Sequence, residues 1–285
     1  MKKNYIYFLF LFTIIFSCKR ESNSNAKNTI SNQENTTVNF KDITTDYHKW
    51  WSYHYNEIIL SSSFIAIDEF SEEISKRTFL KKLTSGNYIT LELKSKDSML
   101  RYKLFKLNNV DNSEHKVISN TIKNVSKTDL KHFEMEDNLF PEFQFTDIKG
   151  NTYNTNNIKG KTTIIKTWFI ACKPCIAEFP ELNKLVDNYT DKSNIQFISL
   201  ALDSKLELEG FLKNNPFNYQ VVADQESLIN ELKVNAFPTH IVVNENGVIE
   251  KVVAKASELI AFINNKSTFN KSLAPPPPGP ISSVK

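Results

Sequence analysis

Trp168-Phe169-Ile170-Ala171-Cys172-Lys173-Pro174-Cys175 is the stretch on which the reading of this chain turns. A β-type run, Thr162 to Phe169, leads into it, and a helical pattern, Ile176 to Tyr189, leads out of it. A strand that ends in C-x-x-C at a helix start is the layout of a dithiol redox site. The helix N-terminus offers free N–H groups and the positive end of the helix dipole, both of which favour a thiolate. Cys175 lies one turn after Cys172 and on nearly the same face. Taken alone, the pair also fits a structural disulfide or half of a zinc site. The chain holds three cysteines, Cys18, Cys172 and Cys175, so no second pair exists to complete a four-cysteine zinc site.

Outward from this stretch, strands and helices alternate. Phe143, Phe145, the turn Lys149-Gly150-Asn151 and Tyr153 predict a hairpin. Ile195 to Leu202 is nearly continuously apolar, as a central parallel strand should be. Leu206, Leu208, Phe211 and Leu212 mark a helix, Tyr219 to Ala223 a strand and Leu228 to Leu232 a short helix. Phe237-Pro238-Thr239-His240 leads straight into Ile241-Val242-Val243. Asn244-Glu245-Asn246-Gly247 is a hairpin turn before the strand Val248 to Val253, and Ser257 to Asn264 closes with a helix. Pro180, inside the helical pattern, predicts a kink.

This β-α-β-α-β-α-Pro-β-β-α order resembles the α/β thioredoxin fold. More narrowly it resembles the TlpA/ResA family of membrane-anchored bacterial thiol–disulfide oxidoreductases. The resemblance spans Leu139 to Asn265. It rests on Trp168, Cys172-Lys173-Pro174-Cys175, Glu178-Phe179-Pro180-Glu181-Leu182, Asp203, and Phe237-Pro238-Thr239 before Ile241-Val242-Val243-Asn244. The chain departs from the family at Ala171, where Trp is usual, and at Lys173, where Gly is familiar.

The resemblance implies a protein-disulfide reductase with no cofactor and no metal. Cys172, at the exposed helix start, is the expected nucleophile: its thiolate attacks a substrate disulfide, and Cys175 resolves the mixed disulfide. Lys173 either favours that thiolate or is merely solvated, and Pro174 shapes the turn into the helix. Glu178 follows Cys175 by three residues, on its face of the helix. Spacing alone makes it a surface carboxylate, whereas the resemblance has it exchange a proton with Cys175. Pro238 is the expected cis-proline. Phe237 and Pro238 would pack against the sulfurs, and with Thr239 they form the expected substrate-binding segment. Trp168 is read as core beneath the site, and His240 as core or surface rather than a ligand. The implied partners are protein disulfides, apocytochrome c among them, and a DsbD- or CcdA-like membrane electron donor. Three rivals remain. A peroxiredoxin-like peroxidase needs a Pro-x-x-x-Thr-x-x-Cys site, which does not surround Cys172. A Sco-like copper-binding protein spaces its cysteines by three and adds a histidine. A redox-inert binding module would carry the dithiol as a relic.

The N-terminus reads as an export signal. Lys2 and Lys3 precede an apolar run from Tyr5 to Phe16, too short for a membrane span of roughly 20 residues. Ser17-Cys18 at its end resembles the lipobox of bacterial lipoproteins. Cleavage would remove residues 1–17, and Cys18 would carry the lipid that anchors the protein to a membrane, facing the periplasm. Residues 18–39 are polar and read as a flexible tether.

Residues 40–135 read as a smaller N-terminal α+β domain or extension of unassigned role. In it, Tyr47, Trp50, Trp51 and Tyr55 share a helical face, flanked by His48 and His54. Ile58 to Ile67 reads as a strand, Ser75 as a helix cap, and Ile89–Leu93 with Leu100–Leu104 as a hairpin with one wet face, turning at Lys96-Asp97-Ser98. Ile118, Ile122 and Val125 begin a helical stripe towards Phe133. The thioredoxin-like domain is expected over 136–273, followed by a proline-rich tail, 274–285. The formal charge of +3, with no basic stripe, argues against nucleic acid as a partner.

Overall fold

Polar side chains start the helices of the N-terminal region. The structure, a computed structural model, describes residues 36–97, 99–107, 112–156, 159–189 and 194–273, with side chains to residue 266. The export signal, Cys18, the tether as far as residue 35, Ser98 and the proline-rich tail lie outside the described residues. Asn39 caps α1 (Phe40–Thr44) and Asp46 caps α2 (Tyr47–Glu57), each accepting hydrogen bonds from first-turn amides. After β1 (Ile65–Ile67) and β2 (Glu73–Ile74), Ser75 caps α3 (Lys76–Leu83). Strands β3 (Tyr88–Glu92) and β4 (Arg101–Lys106) follow, and Asn112 caps the long helix α4 (Ser113–Met135). The sheet runs β2-β1-β4-β3, with β1 and β4 parallel and the other pairs antiparallel. Trp50, Phe79, Leu80, Leu83, Ile89, Leu91, Tyr102, Leu104, Ile118 and Ile122 form its core.

Three expectations change here. The end of the tether is folded: Thr36 bridges to Leu93 and the Thr37 amide donates to the Glu92 carbonyl at 3.0 Å. Only Ile65–Ile67 of the predicted Ile58–Ile67 strand pairs, because Ser62 turns the chain by bonding back to the Ile59 carbonyl through both its amide and its hydroxyl. The hairpin has no wet face in its middle, since Thr90 and Lys103 are buried and the Lys103 ammonium donates to Ser71 Oγ at 2.8 Å.

The second region begins with a hairpin of β5 (Gln144–Thr146) and β6 (Thr152–Asn154). Then come β7 (Thr162–Trp168), α5 (Lys173–Ala177), α6 (Phe179–Asp187), β8 (Ile195–Ala201), α7 (Lys205–Leu212), β9 (Gln220–Val222) and α8 (Glu226–Glu231). The chain closes with β10 (Thr239–Val243), β11 (Ile249–Val253) and α9 (Ala256–Leu273). The sheet order is β11-β10-β7-β8-β9, with β7, β8 and β9 parallel and β10 antiparallel to both neighbours. This is the thioredoxin-like α/β arrangement that the resemblance implied. One face of the sheet packs on α6, α7 and α9 through Leu182, Leu208 and Leu259. The other face packs on α8 and the β5–β6 hairpin through Ile229 and Phe145. Pro180 divides the expected single helix outright: it offers no N–H to the Ile176 carbonyl, so α5 ends and α6 begins at Glu178. Helix α9 runs past Asn264, where the polar sequence shows no apolar stripe.

The two regions belong to one compact unit. Glu136, at the end of α4, accepts from Lys251 Nζ at 2.9 Å and from the Val252 amide at 3.3 Å. Lys251 also donates to the Ser61 carbonyl at 2.7 Å, and Ser61 Oγ donates to Glu258 at 2.5 Å. No helix among the described residues is long and apolar enough to cross a membrane.

Candidate active site

Strand β7 delivers the dithiol. It ends in the buried Trp168, whose ring packs edge-on against Phe179 at 5.0 Å. The loop beyond it is pinned where Ile170 donates its amide to Asp203 at 2.8 Å, and it turns where the Cys172 amide donates to the Phe169 carbonyl at 3.0 Å. Cys172 then caps α5, with Pro174 in the first turn, where a missing N–H costs nothing. Cys172 and Cys175 form a disulfide with an S–S distance of 2.02 Å. The Cys175 amide points at Cys172 Sγ, 3.3 Å away, so a helix-start N–H is already aimed where a thiolate would form.

Exposure corrects one expectation. Cys172 is not at an exposed helix start but is only 5% exposed, and Cys175 is wholly buried. Both sulfurs sit in the apolar cluster of Trp168 and Phe179, against which Phe169 and Phe237 also pack. Lys173 and Pro174 are exposed. The Phe237–Pro238 peptide is cis, and the Phe237 ring meets Phe169 edge-on at 5.3 Å. Thr239 differs from its expected place in a substrate-binding segment. Its side chain is buried, donates to the Ala236 carbonyl at 2.8 Å and lies 3.3 Å from His132 Nε2 on α4. Only Phe237 and Pro238 are partly open to solvent.

Beneath α5 lies a cluster of charge. In β7, Ile164, Lys166 and Trp168 share one face by strand alternation, so Lys166 points towards the helices and is wholly enclosed. In β10, His240 pairs directly with Lys166 across the ladder and is enclosed too. Both reach Glu178: Lys166 Nζ donates to Oε2, and His240 Nε2 lies 3.1 Å from the same oxygen. Glu178 Oε1 accepts from the Ala256 amide at 2.9 Å. The Glu178 side chain, 14% exposed, is therefore neither a surface carboxylate nor uncommitted.

Burial works to raise the Glu178 pKa, but the hydrogen bond and charge of His240, and then Lys166, outweigh it and hold the carboxyl at about 2. Burial pushes His240 down, against its bond to Glu178 and with the help of Lys166. Burial likewise pushes Lys166 down, against Glu178. Glu178 is thus held charged between its two partners, while burial opposes a charge on each of them. His240 Nδ1 has no hydrogen-bond partner among the described residues. Among those residues there is also no group of three or more His, Cys, Asp or Glu placed to hold a metal ion.

Residues 137–252 match the AhpC/TSA family model. The chain is 28% identical over 115 residues to thiol-disulfide oxidoreductase ResA of Geobacillus kaustophilus (strain HTA426), covering 40% of this chain and 66% of that protein. It is 25% identical over 114 residues to the thioredoxin-like protein YneN of Bacillus subtilis (strain 168), covering 39% and 67%. The chain thus spans about two thirds of the length of these relatives. Over these residues the chain is similar to ResA-like thiol-disulfide oxidoreductases and thioredoxin-like proteins. Among solved structures it is similar to StoA from Bacillus subtilis, at 26% identity and a TM-score of 0.39, over 44% of this chain and 98% of that one. It is also similar to a thiol-disulfide oxidoreductase from Bacteroides fragilis NCTC 9343, at 18% identity and a TM-score of 0.42, over 45% and 99%. The family match begins at residue 137, so the folded region before it lies outside that match.

Of the residues singled out in the sequence, the fold gathers Trp168, Cys172, Cys175, Phe237 and Pro238 around one cluster, with Glu178 beneath α5. Lys166 was missed, and His240, read as core or surface, is core but its carboxylate partner was not foreseen. Their signal was present: each is the one ionisable residue of its buried strand, which calls for a partner.

Proposed function

We propose that this protein is an exported, lipid-anchored thiol–disulfide oxidoreductase that reduces protein disulfides. The observation that carries the reading is the Cys172–Cys175 disulfide at the start of α5, with the Cys175 amide on the outer sulfur and cis-Pro238 lining the adjoining groove with Pro174. In the reduced protein, the Cys172 thiolate attacks one sulfur of a substrate disulfide. A Cys172–substrate bond forms, the substrate disulfide breaks, and the leaving thiolate takes a proton from solvent. Cys175 then loses its proton and attacks Cys172 Sγ, expelling the second substrate thiolate. The substrate gains two electrons and two protons, and the protein ends as the disulfide described above. A membrane donor of the DsbD or CcdA kind would restore the dithiol. Apocytochrome c is one candidate substrate.

The reducing direction is supported by the family resemblance, and the anchor by Tyr5 to Phe16 followed by Ser17-Cys18. Insulin reduction by the full-length protein tests the activity. Cys172→Ser should abolish it, and Cys175→Ser should freeze a mixed disulfide on Cys172. Insulin reduction that survives Cys172→Ser would sink the proposal. Cys18→Ala should abolish metabolic labelling with palmitate, and labelling that persists would remove the anchor.

A further inference from the structure

The N-terminal region reaches a groove beside the dithiol helix, lined by Pro174 from between the two cysteines and by Pro238. A cavity of about 370 Å³ runs beside α5, and Pro174, Ala177 and Pro238 form one wall of it. Tyr55, from the end of α2, and Ile59, just beyond it, form the opposite wall. These two are 48% and 40% exposed, large apolar side chains left uncovered at the edge of the groove. The wall is fixed in place. Lys255 lies over the Tyr55 ring, 3.9 Å from its centroid, and also donates to the Tyr55 carbonyl. Ser61 is tied to Glu258 at 2.5 Å, and the amide of Ala256, the residue after Lys255, is the one that holds Glu178. The same wall is therefore joined by a short bonded path to the carboxylate beneath the dithiol.

Charge adds a direction. Lys255 is occupied by Tyr55 and by Glu258, 3.6 Å away. Glu181, exposed on α6, lines the same groove. The open charge at the rim is thus negative, beside the apolar patch of Tyr55, Ile59, Pro174 and Pro238.

From this we infer that Tyr55 and Ile59 select the substrate. They would grip an extended protein segment that carries an apolar side chain beside its reactive cysteine and a basic residue towards Glu181. This inference rests on the oxidoreductase reading, because the groove is a substrate groove only if Cys172 exchanges disulfides. The continuity of the groove with Pro174 and Pro238 makes the occupant the segment already joined to Cys172, and gives the region before residue 137 a part in recognition.

The test uses the reduced full-length protein in detergent and two peptides, each carrying one cysteine as its glutathione mixed disulfide. One has Leu and Lys beside the cysteine, the other Ser and Glu. The wild-type protein should reduce the first about tenfold faster, the factor that goes with removing roughly 55 Å² of apolar surface from water. Joint replacement Tyr55→Ser with Ile59→Ser should shrink that preference to about twofold. Glu181→Lys, at an exposed position, should turn the Lys-over-Glu component around. A wild-type rate equal for both peptides, or a preference untouched by all these changes, overturns the inference while leaving the oxidoreductase reading standing. If neither peptide is reduced, the oxidoreductase reading falls and takes this one with it.

Discussion

Glu178→Gln should be the most revealing single change, because Lys166 is enclosed and has Glu178 as its charged partner. Glutamine keeps the shape of the carboxylate and removes its charge. The ammonium can stay charged without a counter-ion, at roughly 3–5 kcal/mol. It can instead give up its proton, which from an ordinary lysine pKa near 10.4 costs about 4.6 kcal/mol at pH 7 and about 1.9 kcal/mol at pH 9. The loss of stability should therefore be about 4 kcal/mol at pH 7 and about 2 kcal/mol at pH 9. The sign follows from proton counting: in the variant the unfolded lysine holds a proton that the folded one has released, so stability recovers as pH rises.

Lys166→Met should cost less than Glu178→Gln, about 1–2 kcal/mol, since Glu178 keeps the Ala256 amide and His240. Combining Lys166→Met with Glu178→Gln should recover most of the loss, as replacing both members of a buried pair usually does. Guanidinium unfolding of the oxidised proteins at pH 7, 8 and 9 reads all of this. A Glu178→Gln loss that is the same at pH 7 and pH 9, or a double variant as unstable as Glu178→Gln alone, would refute the assignment of charges beneath α5.

Burial, followed by the charges of Lys131 and His240, pushes His132 down to about 4. Its folded pKa is below its unfolded one, so stability is lost as pH falls from about 6.5 towards 4, by up to about 1.4 kcal/mol per pH unit. Burial raises Asp129 to about 7 and acts in the opposite direction, so the quantity to measure is the difference in slope between His132→Gln and wild type, and equal slopes would count against a buried neutral His132. Gly86 has φ +77, and an added Cβ would meet the Ser119 carbonyl oxygen at 2.7 Å, so Gly86→Ala should lower stability by roughly 1–3 kcal/mol. An unchanged melting temperature would contradict that geometry. Arg77 and Glu134 pair at 2.5 Å with side chains 67% and 40% exposed, and Arg77→Ala should shift stability by about 1 kcal/mol or less.

The strands of the second region were legible because burial on both faces leaves a nearly continuous apolar run, as in Ile195–Ala201. Helix starts were legible where Ser75 stood ready to accept an amide, and the dithiol through its spacing and its place after β7. What escaped was whatever depended on distant partners. Lys166 meets Glu178 across 12 residues and Glu178 meets His240 across 62, brought together by a strand register that no local periodicity reveals. Thr239 reads as groove lining until α4 is seen to cover it with His132. Ile58–Ile67 has strand-like residues, but local serine bonds claim the backbone first.

The path of α4 into Glu136 bears on modularity. The family match starts at residue 137, yet the mechanical seam does not run there. A fragment excised at that border would strip Lys251 of both oxygens it donates to, Ser61 O and Glu136 Oε1, and would take His132 from Thr239 and Ser61 from Glu258. The redox half of this protein is thus not a cassette to be cut out along the line of family likeness. Grafting it elsewhere means carrying α2, the turn at Ser61 and α4 along with it.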